Sequence, residues 1–355
     1  MHFASNRLLT ILFLLIILIS TLASAKEAQP AAHESQPASE PPDPASSFAV
    51  DVNVVNLFFA VKDKHGLPVR DLTQNDFEVF EDGKPQKIKY FQADATQPLT
   101  LGLLVDTSGS ARPLLPLIRS LGVQFFTKVL REKDLAFVMS FDVGVDLLQD
   151  LTSPSPDLTA AVLDTSSNGG DSVLPNKEGV PDPRLGSRGT LLYDAIYLAA
   201  TQELKHEVGR KTIVIITDGI DQGSETSIAA TIEAAQRVDA SVYVLLAHDP
   251  EYGARSEDIG RICRETGGRV IDVGLTGNVE KAIRQVSEEL QTQYYIGYTP
   301  TQKPDGAFRR LQVRVKSGDL HVQLRKGYYA PKTSGANDAN GDAGARSQNE
   351  TPALP

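Results

Sequence analysis

The stretch of the chain with the clearest potential for chemistry is Asp106-Thr107-Ser108-Gly109-Ser110, which directly follows the apolar run 101–105. An apolar run that ends in an acidic residue and small hydroxyl residues is typical of a buried parallel strand that stops in a turn. This turn would place a carboxylate and two serine hydroxyls at the carboxyl end of a strand, where open α/β sheets bind ligands. Oxygen donors of this kind favour a hard cation such as Mg²⁺ or Ca²⁺. The alternative is a simple turn that caps the next helix.

The surrounding sequence alternates strand and helix patterns, which predicts a doubly wound, mostly parallel α/β sheet over residues 98–292. Apolar runs predict the strands, and apolar residues at helical spacing predict the helices. The predicted strands are 100–106, 134–141, 145–151, 211–217, 241–247 and 269–273, and the predicted helices are 113–130, 191–206, 226–237, 256–266 and 277–292. Thr190 is the expected N-cap of the second helix. Gly267 and Gly268 are expected to end the fourth helix.

Alternation with a period of two marks both flanks of this domain. Residues 47–97 predict a small β-unit with a hairpin turn at Asp82-Gly83. Residues 293–331 predict three more strands, at 293–299, 308–316 and 320–327. Because a piece of three strands is only marginally stable by itself, we expect both flanks to pack together as one β-module.

Three other segments have the composition of linkers and loops. Residues 26–46 are rich in Ala, Pro, Glu and Ser, and residues 332–355 are rich in Gly, Asn, Asp and Ala. Such segments cannot bury a core, so we expect them to be disordered. The loop 165–188 is long for a compact domain, and we expect it to be functional or disordered.

Two more oxygen donors stand at the ends of predicted elements, since Thr190 precedes a helix and Asp218 follows strand 211–217. With Asp106-x-Ser108-x-Ser110, they resemble the metal-ion-dependent adhesion site of the von Willebrand factor type A domain, in order and in position. The stretches DFEVFEDGKPQKI, GRKTIVIITDG, QYYIGYTP and RKGYYAP are similar to those of the exported bacterial proteins called VWFA-related, common in acidobacteria. This resemblance covers about residues 48–331 and implies a von Willebrand factor type A fold, which is Rossmann-like.

The resemblance implies a role for each of these residues. Ser108 and Ser110 would bind the cation directly, and Thr190 would bind it directly or through water. Asp106 and Asp218 would hold coordinated waters. The expected ion is Mg²⁺, with Ca²⁺ or Mn²⁺ as alternatives, and an Asp or Glu carboxylate of a protein partner would complete the coordination.

Two neighbouring acidic residues are less directly placed. Asp221 is a possible second-shell residue, which would orient a ligand or a bound water through a hydrogen bond. Asp194 is expected on a helix surface or in a helix cap.

Sequence patterns for catalysis are weak. Ser172 lies in a Gly-Asp-Ser triplet that resembles a hydrolase nucleophile block, but it falls within the long loop, and no GxSxG occurs. The histidines are scattered, and His248 after strand 241–247 is expected in a solvated loop or at the rim of the site. The sequence therefore predicts an adhesion-type binding protein and no enzyme. A structural or assembly protein of the cell envelope with a stabilising metal is the first alternative, and a hydrolase is the second.

The N-terminus and the charge balance bear on location. Arg7, a short apolar run and Ala23-Ser24-Ala25 predict a signal peptide over residues 1–25, with an uncleaved anchor as the alternative. We expect an exported protein, periplasmic or secreted, with no membrane span after cleavage. Asp and Glu outnumber Lys and Arg by 45 to 35, which argues against nucleic acid as a partner. Cys263, the single cysteine, is expected in the core, with an intermolecular disulfide as the alternative.

Overall fold

The fold is built around one central sheet, with two smaller sheets formed by its flanks. The structure is a computed structural model that describes residues 54–94, 96–166, 173–175, 181–186, 189–247, 256–274, 279–316 and 318–332. The strands are β1 Val55–Lys62, β2 Phe77–Glu81, β3 Lys84–Gln86, β4 Ile88–Gln92, β5 Leu99–Asp106, β6 Leu135–Phe141, β7 Val145–Thr152, β8 Val173–Pro175, β9 Pro181–Gly186, β10 Arg210–Thr217, β11 Ala240–Leu246, β12 Val270–Asp272, β13 Tyr294–Tyr298, β14 Phe308–Val315, β15 His321–Gln323 and β16 Gly327–Tyr329.

Six α-helices accompany these strands in the described part of the chain. They are α1 Leu115–Val129, α2 Pro156–Leu163, α3 Leu192–Leu198, α4 Ile228–Arg237, α5 Ser256–Thr266 and α6 Val279–Gln291. A 3₁₀ turn, Arg112–Leu114, leads into α1, and a π-helical turn, Ala199–Glu203, continues α3. Helix α2 was not predicted, although Ser155 followed by Pro156 has the residue types that often begin a helix.

The central sheet has the strand order β12-β11-β10-β5-β6-β7. Strands β12, β11, β10, β5 and β6 run parallel, and β7 is an antiparallel edge strand. The chain passes from β5 to β6 on one side and later returns to β10 on the other. The carboxyl end of β5 therefore lies where the strand order reverses, the position at which doubly wound sheets bind ligands.

Helices cover both faces of this sheet. Strand β5 is buried along its whole length, and Leu101 and Leu103 point into a core shared with α1, α2 and α6. Leu104 points to the opposite face, where a second core contains residues of α3, α4 and α5. This arrangement explains why the central strands are continuous apolar runs, and it confirms the predicted doubly wound α/β class.

The flanking strands form two further sheets around a third apolar core. One sheet has the order β15-β1-β13-β4, and the other has the order β16-β14-β2-β3. Each sheet joins strands from before the central sheet to strands from after it, through antiparallel pairs such as Val55 with Tyr298 and Phe77 with Val315.

The predicted strand 320–327 is wrong in one respect, because it is two strands in different sheets. Strand β15 pairs with β1, whereas β16 pairs with β14. Between them the chain turns at Lys326, whose N–H donates to the carbonyl of Glu265 and whose carbonyl accepts from Leu311.

A buried carboxylate connects the strands of the flanking sheets. Glu81, at the end of β2, is fully buried and accepts hydrogen bonds at Oε2 from the hydroxyls of Tyr298 (2.6 Å) and Tyr328 (2.9 Å). The amide of Gln302 is 3.4 Å from Oε1. Burial and these hydrogen bonds raise the pKa of both tyrosines, so their hydroxyls stay protonated and can donate.

We expect Glu81→Gln to lower the free energy of unfolding by about 1–2 kcal/mol, because two charge-assisted hydrogen bonds become neutral ones. Urea denaturation measures this change. Glu78→Gln is the matched control, since Glu78 is an exposed residue of the same strand. Equal stability of the two variants would show that the cluster contributes nothing beyond packing.

Candidate metal site

The first loop of the candidate site begins at Asp106, the last residue of β5, whose side chain is fully buried. Its Oδ1 accepts a hydrogen bond from the N–H of Ser108 at 3.0 Å. Its Oδ2 accepts one from the hydroxyl of Thr217, in the neighbouring strand β10, at 2.5 Å. The two bonds fix the carboxylate at the carboxyl edge of the sheet, and each oxygen keeps further acceptor capacity.

Two serine hydroxyls lie together in this loop. The Oγ atoms of Ser108 and Ser110 are 3.2 Å apart. Ser108 is buried, and Ser110 is exposed. The pair therefore leads from the buried Asp106 carboxylate to the protein surface.

The third loop supplies a second carboxylate. Asp218 follows β10, is largely buried, and accepts at Oδ1 from the N–H of Ile220 at 3.2 Å. Burial, followed by the negative charge of Asp218, raises the pKa of Asp106 from 3.8 to about 7. Hydrogen bonds from Ser108 and Thr217 act in the opposite direction but do not cancel this effect. The two carboxylates are therefore close enough to repel each other.

The second loop carries Thr190, which is buried and bonded to the third loop through its backbone. The N–H of Thr190 donates to the carbonyl of Gln222 at 3.1 Å, and the N–H of Gln222 donates back at 3.0 Å. The expected role of Thr190 as N-cap is wrong. Helix α3 begins at Leu192, and the N-cap position is Leu191, which has no capping side chain.

Asp221 and Ser224 satisfy the first N–H groups of α3 instead. Oδ1 of Asp221 accepts from Leu192 at 3.0 Å and from Tyr193 at 3.3 Å. The Ser224 hydroxyl accepts from Tyr193 and donates to Asp221. Asp221 therefore acts on the loop that carries Thr190, and its predicted contact with a ligand or bound water stays a prediction.

Asp194, in α3, also connects the second loop to the third loop through hydrogen bonds. Its carboxylate accepts from the N–H of Glu225 at 3.0 Å and of Thr226 at 2.8 Å, just before α4. Asp194 was expected on a helix surface or in a helix cap. The structure shows a side chain in α3 that holds the turn leading into α4.

The donor set fits a hard divalent cation. Two carboxylates and the serine hydroxyls lie on loops at the carboxyl edge, and the loop of Thr190 is bonded to the loop of Asp218. A cation near Asp106 would favour its charged form, which burial and Asp218 now disfavour. In the part of the chain that the structure describes, no group of three or more His, Cys, Asp and Glu side chains is arranged to hold a metal. The donors that do meet at this edge are hydroxyls and carboxylates, and a cation bound by them would complete its coordination with water, as Mg²⁺ does.

The carboxyl edge of the central sheet contains one further acidic residue, Asp142, that the sequence did not predict for the site. Asp142 directly follows β6, just as Asp106 ends β5 and Asp218 follows β10, and its side chain is almost fully buried. The sequence pattern that could have identified Asp142 is an acidic residue directly after an apolar strand.

Ser172, His248 and most of the loop 165–188 lie outside the described residues.

The strand order and the helices on both faces define a doubly wound α/β domain with oxygen donors at the carboxyl edge of its sheet. No protein-family model matches the sequence, and no curated protein matches it. Among solved structures, the chain is similar to a von Willebrand factor type A protein from Catenulispora acidiphila, with 11% identity over 81% of this chain and 76% of that chain (TM-score 0.42).

Two similar structures come from Bacteroides. One is the conserved hypothetical protein BatB of Bacteroides thetaiotaomicron, with 18% identity over 54% of this chain and 98% of that chain (TM-score 0.41). The other is an aerotolerance-related membrane protein of Bacteroides fragilis, with 20% identity over 53% and 98% (TM-score 0.40). Similarity at this level concerns the fold and gives no evidence on function.

Within the described residues, no helix has the length and apolar character needed to cross a membrane.

Proposed function

We propose that the protein is an exported, metal-dependent binding protein of the von Willebrand factor type A kind, of the VWFA-related group. The observation that carries the proposal is the paired hydroxyls of Ser108 and Ser110, 3.2 Å apart, in the loop of a buried Asp106 that interacts with Asp218. A simple capping turn does not account for this arrangement, because it needs no second carboxylate from another strand.

Ser108 and Ser110 would bind the cation, and Thr190 would join them directly or through water. Asp106 and Asp218 would hold the coordinated waters. The bound cation would supply an electrophilic position for an acidic side chain. Neutral hydroxyl ligands leave much of the cation's charge uncancelled, so a carboxylate from a protein partner is a favourable further ligand.

The partner would approach from the solvent side, where Ser110 is exposed. Mg²⁺ is the proposed ion, with Ca²⁺ and Mn²⁺ as alternatives. The loop 165–188 precedes Thr190 in the chain and would influence the choice of partner. The apolar N-terminal segment and the Ala-Ser-Ala site would direct the protein to the periplasm or out of the cell.

We expect Ser110→Ala to weaken Mg²⁺ binding at least about ten-fold, a loss known even for residues that only support metal ligands. Isothermal titration calorimetry on the full chain with Mg²⁺, Ca²⁺ and Mn²⁺ measures the affinity. Ser153→Ala is the control, because Ser153 is an exposed serine that the proposal does not use. Equal affinity of Ser110→Ala and the wild type would contradict the proposed ligand set.

Capture from an envelope extract, with Mg²⁺ against a chelator, separates binding from a purely structural role. The wild type should retain partners only with Mg²⁺, and Ser110→Ala should lose them. Stabilisation by Mg²⁺ without metal-dependent capture would instead support a structural or assembly protein of the cell envelope.

A further inference from the structure

The turn Asp142–Gly144 lies between the first and the second loop of the candidate metal site. The N–H of Asp142 donates to the carbonyl of Gly144 at 2.9 Å, and Oδ1 of Asp142 accepts from the N–H of Gly144 at 3.2 Å. These two bonds close the turn directly after β6. They use only one of the two carboxylate oxygens.

The other carboxylate oxygen reaches the first loop. Oδ2 of Asp142 lies 3.3 Å from the hydroxyl of Thr107, which shares its hydrogen between this oxygen and the carbonyl of Phe141, also at 3.3 Å. The N–H of Thr107 donates to the carbonyl of Phe141 at 3.0 Å. Thr107 is buried and lies between Asp106 and Ser108 in the chain. Holding Thr107 therefore fixes the residues on both sides of it.

The same turn also holds the second loop. The N–H of Leu191 donates to the backbone carbonyl of Asp142 at 3.0 Å. Gly189 packs directly on Val143, since a Cβ on Gly189 would lie 2.3 Å from Cγ1 and 2.6 Å from Cα of Val143. Thr190 lies between these two contacts, so its position depends on the turn.

We propose that Asp142 is a positioning residue of the metal site, which sets the spacing between the Ser108 loop and the Thr190 loop. The inference rests on the proposed function. Asp142 acts through Thr107 by its side chain and through Leu191 by its backbone, and it does not bind the metal. The turn of Asp142 is closed by Oδ1 alone. The contact of Oδ2 with Thr107 is therefore the one that positions the Ser108 loop.

Asp142→Ala and Thr107→Val each remove the side-chain contact, and the double variant tests whether the two residues act together. Each single variant should weaken Mg²⁺ binding about ten-fold, and the double variant should be no weaker than either single one. Asp142→Asn should restore most of the affinity, because its amide can donate to the Thr107 hydroxyl. Gly189→Ala should weaken binding through the second loop.

The measurement is Mg²⁺ titration calorimetry on the full chain, with metal-free thermal unfolding beside it. Asp146→Ala, an exposed carboxylate in β7, is the control. Wild-type affinity in Asp142→Ala, or additive losses in the double variant, would overturn the inference while leaving the proposed function intact. A wild type that binds no divalent cation would overturn both. Thr107→Val and Gly189→Ala test the same point if Asp142→Ala does not fold.

Discussion

In the metal-free protein, Asp106→Asn should raise the free energy of unfolding at pH 8 by about 4 kcal/mol relative to the wild type. The pKa of Asp106 is raised from 3.8 to about 7, chiefly by burial and then by the charge of Asp218. One pKa unit is worth about 1.4 kcal/mol. An uncharged asparagine of the same size avoids the cost of burying that charge.

The sign of the pH dependence follows from proton linkage. The folded wild type binds this proton more tightly than the unfolded chain, so its stability falls as the pH rises from about 4 to about 7. Above about pH 7 the stability that is lost through ionisation of Asp106 does not change further. The advantage of Asp106→Asn should therefore shrink below about 1 kcal/mol at pH 4.

Urea denaturation in the presence of a chelator, at pH 4, 6 and 8, measures the difference between the two proteins. Asp146→Asn, which changes an exposed carboxylate, should show no comparable trend. A difference that is constant across the three pH values would mean that Asp106 is already ionised at pH 4.

Mg²⁺ should offset most of this difference in stability at pH 8. A cation that binds only the folded wild type adds about 2.7 kcal/mol at a hundred-fold excess over its dissociation constant. It should add far less to Asp106→Asn, which has lost one carboxylate. Equal stabilisation of both proteins would show that the cation binds elsewhere.

The parts of the site that sequence predicts are those with a local cause. Asp106 and Asp218 each come at the end of a buried strand, and an apolar run with an acidic residue after it is visible in the sequence. The predicted strand 100–106 differs from β5 by a single residue. The end of α5 at Thr266 also follows a local rule, because Gly267 has a φ of +89°.

Other parts depend on residues that are distant in the chain. Thr190 has the residue type of an N-cap, but Asp221, 29 residues after Leu192, satisfies the N–H groups of α3 in its place. The role of Asp142 depends on β6 lying beside β5 and on Gly189 packing against Val143. No local pattern in a single sequence contains these contacts. The position of the second loop is therefore set by contacts between residues that are distant in the chain.

The turn after α5 also depends on residues that are distant in the chain, because their backbone atoms leave no space for a Cβ on either glycine of the turn. Gly268 lies against β11, where a Cβ would be 1.9 Å from the carbonyl oxygen of Val242 and 2.5 Å from its carbon. On the other side of the turn, a Cβ on Gly267 would be 2.6 Å from the backbone nitrogen of Arg325. Backbone therefore confines the glycine pair on both sides.

Gly268→Ala should lower the free energy of unfolding by about 3 kcal/mol, the upper part of the usual range for overpacking. The clash is with backbone, so no change of side-chain rotamer relieves it. Moving the turn away from Val242 would break the bond from the N–H of Val242 to the Thr266 hydroxyl, 3.1 Å long. Gly144→Ala is the matched control, since its Cβ would meet nothing within 4 Å. If metal-free urea denaturation gave the same stability for both variants, the turn would have to be free to shift, and the close packing of α5 on β11 would not be needed for stability.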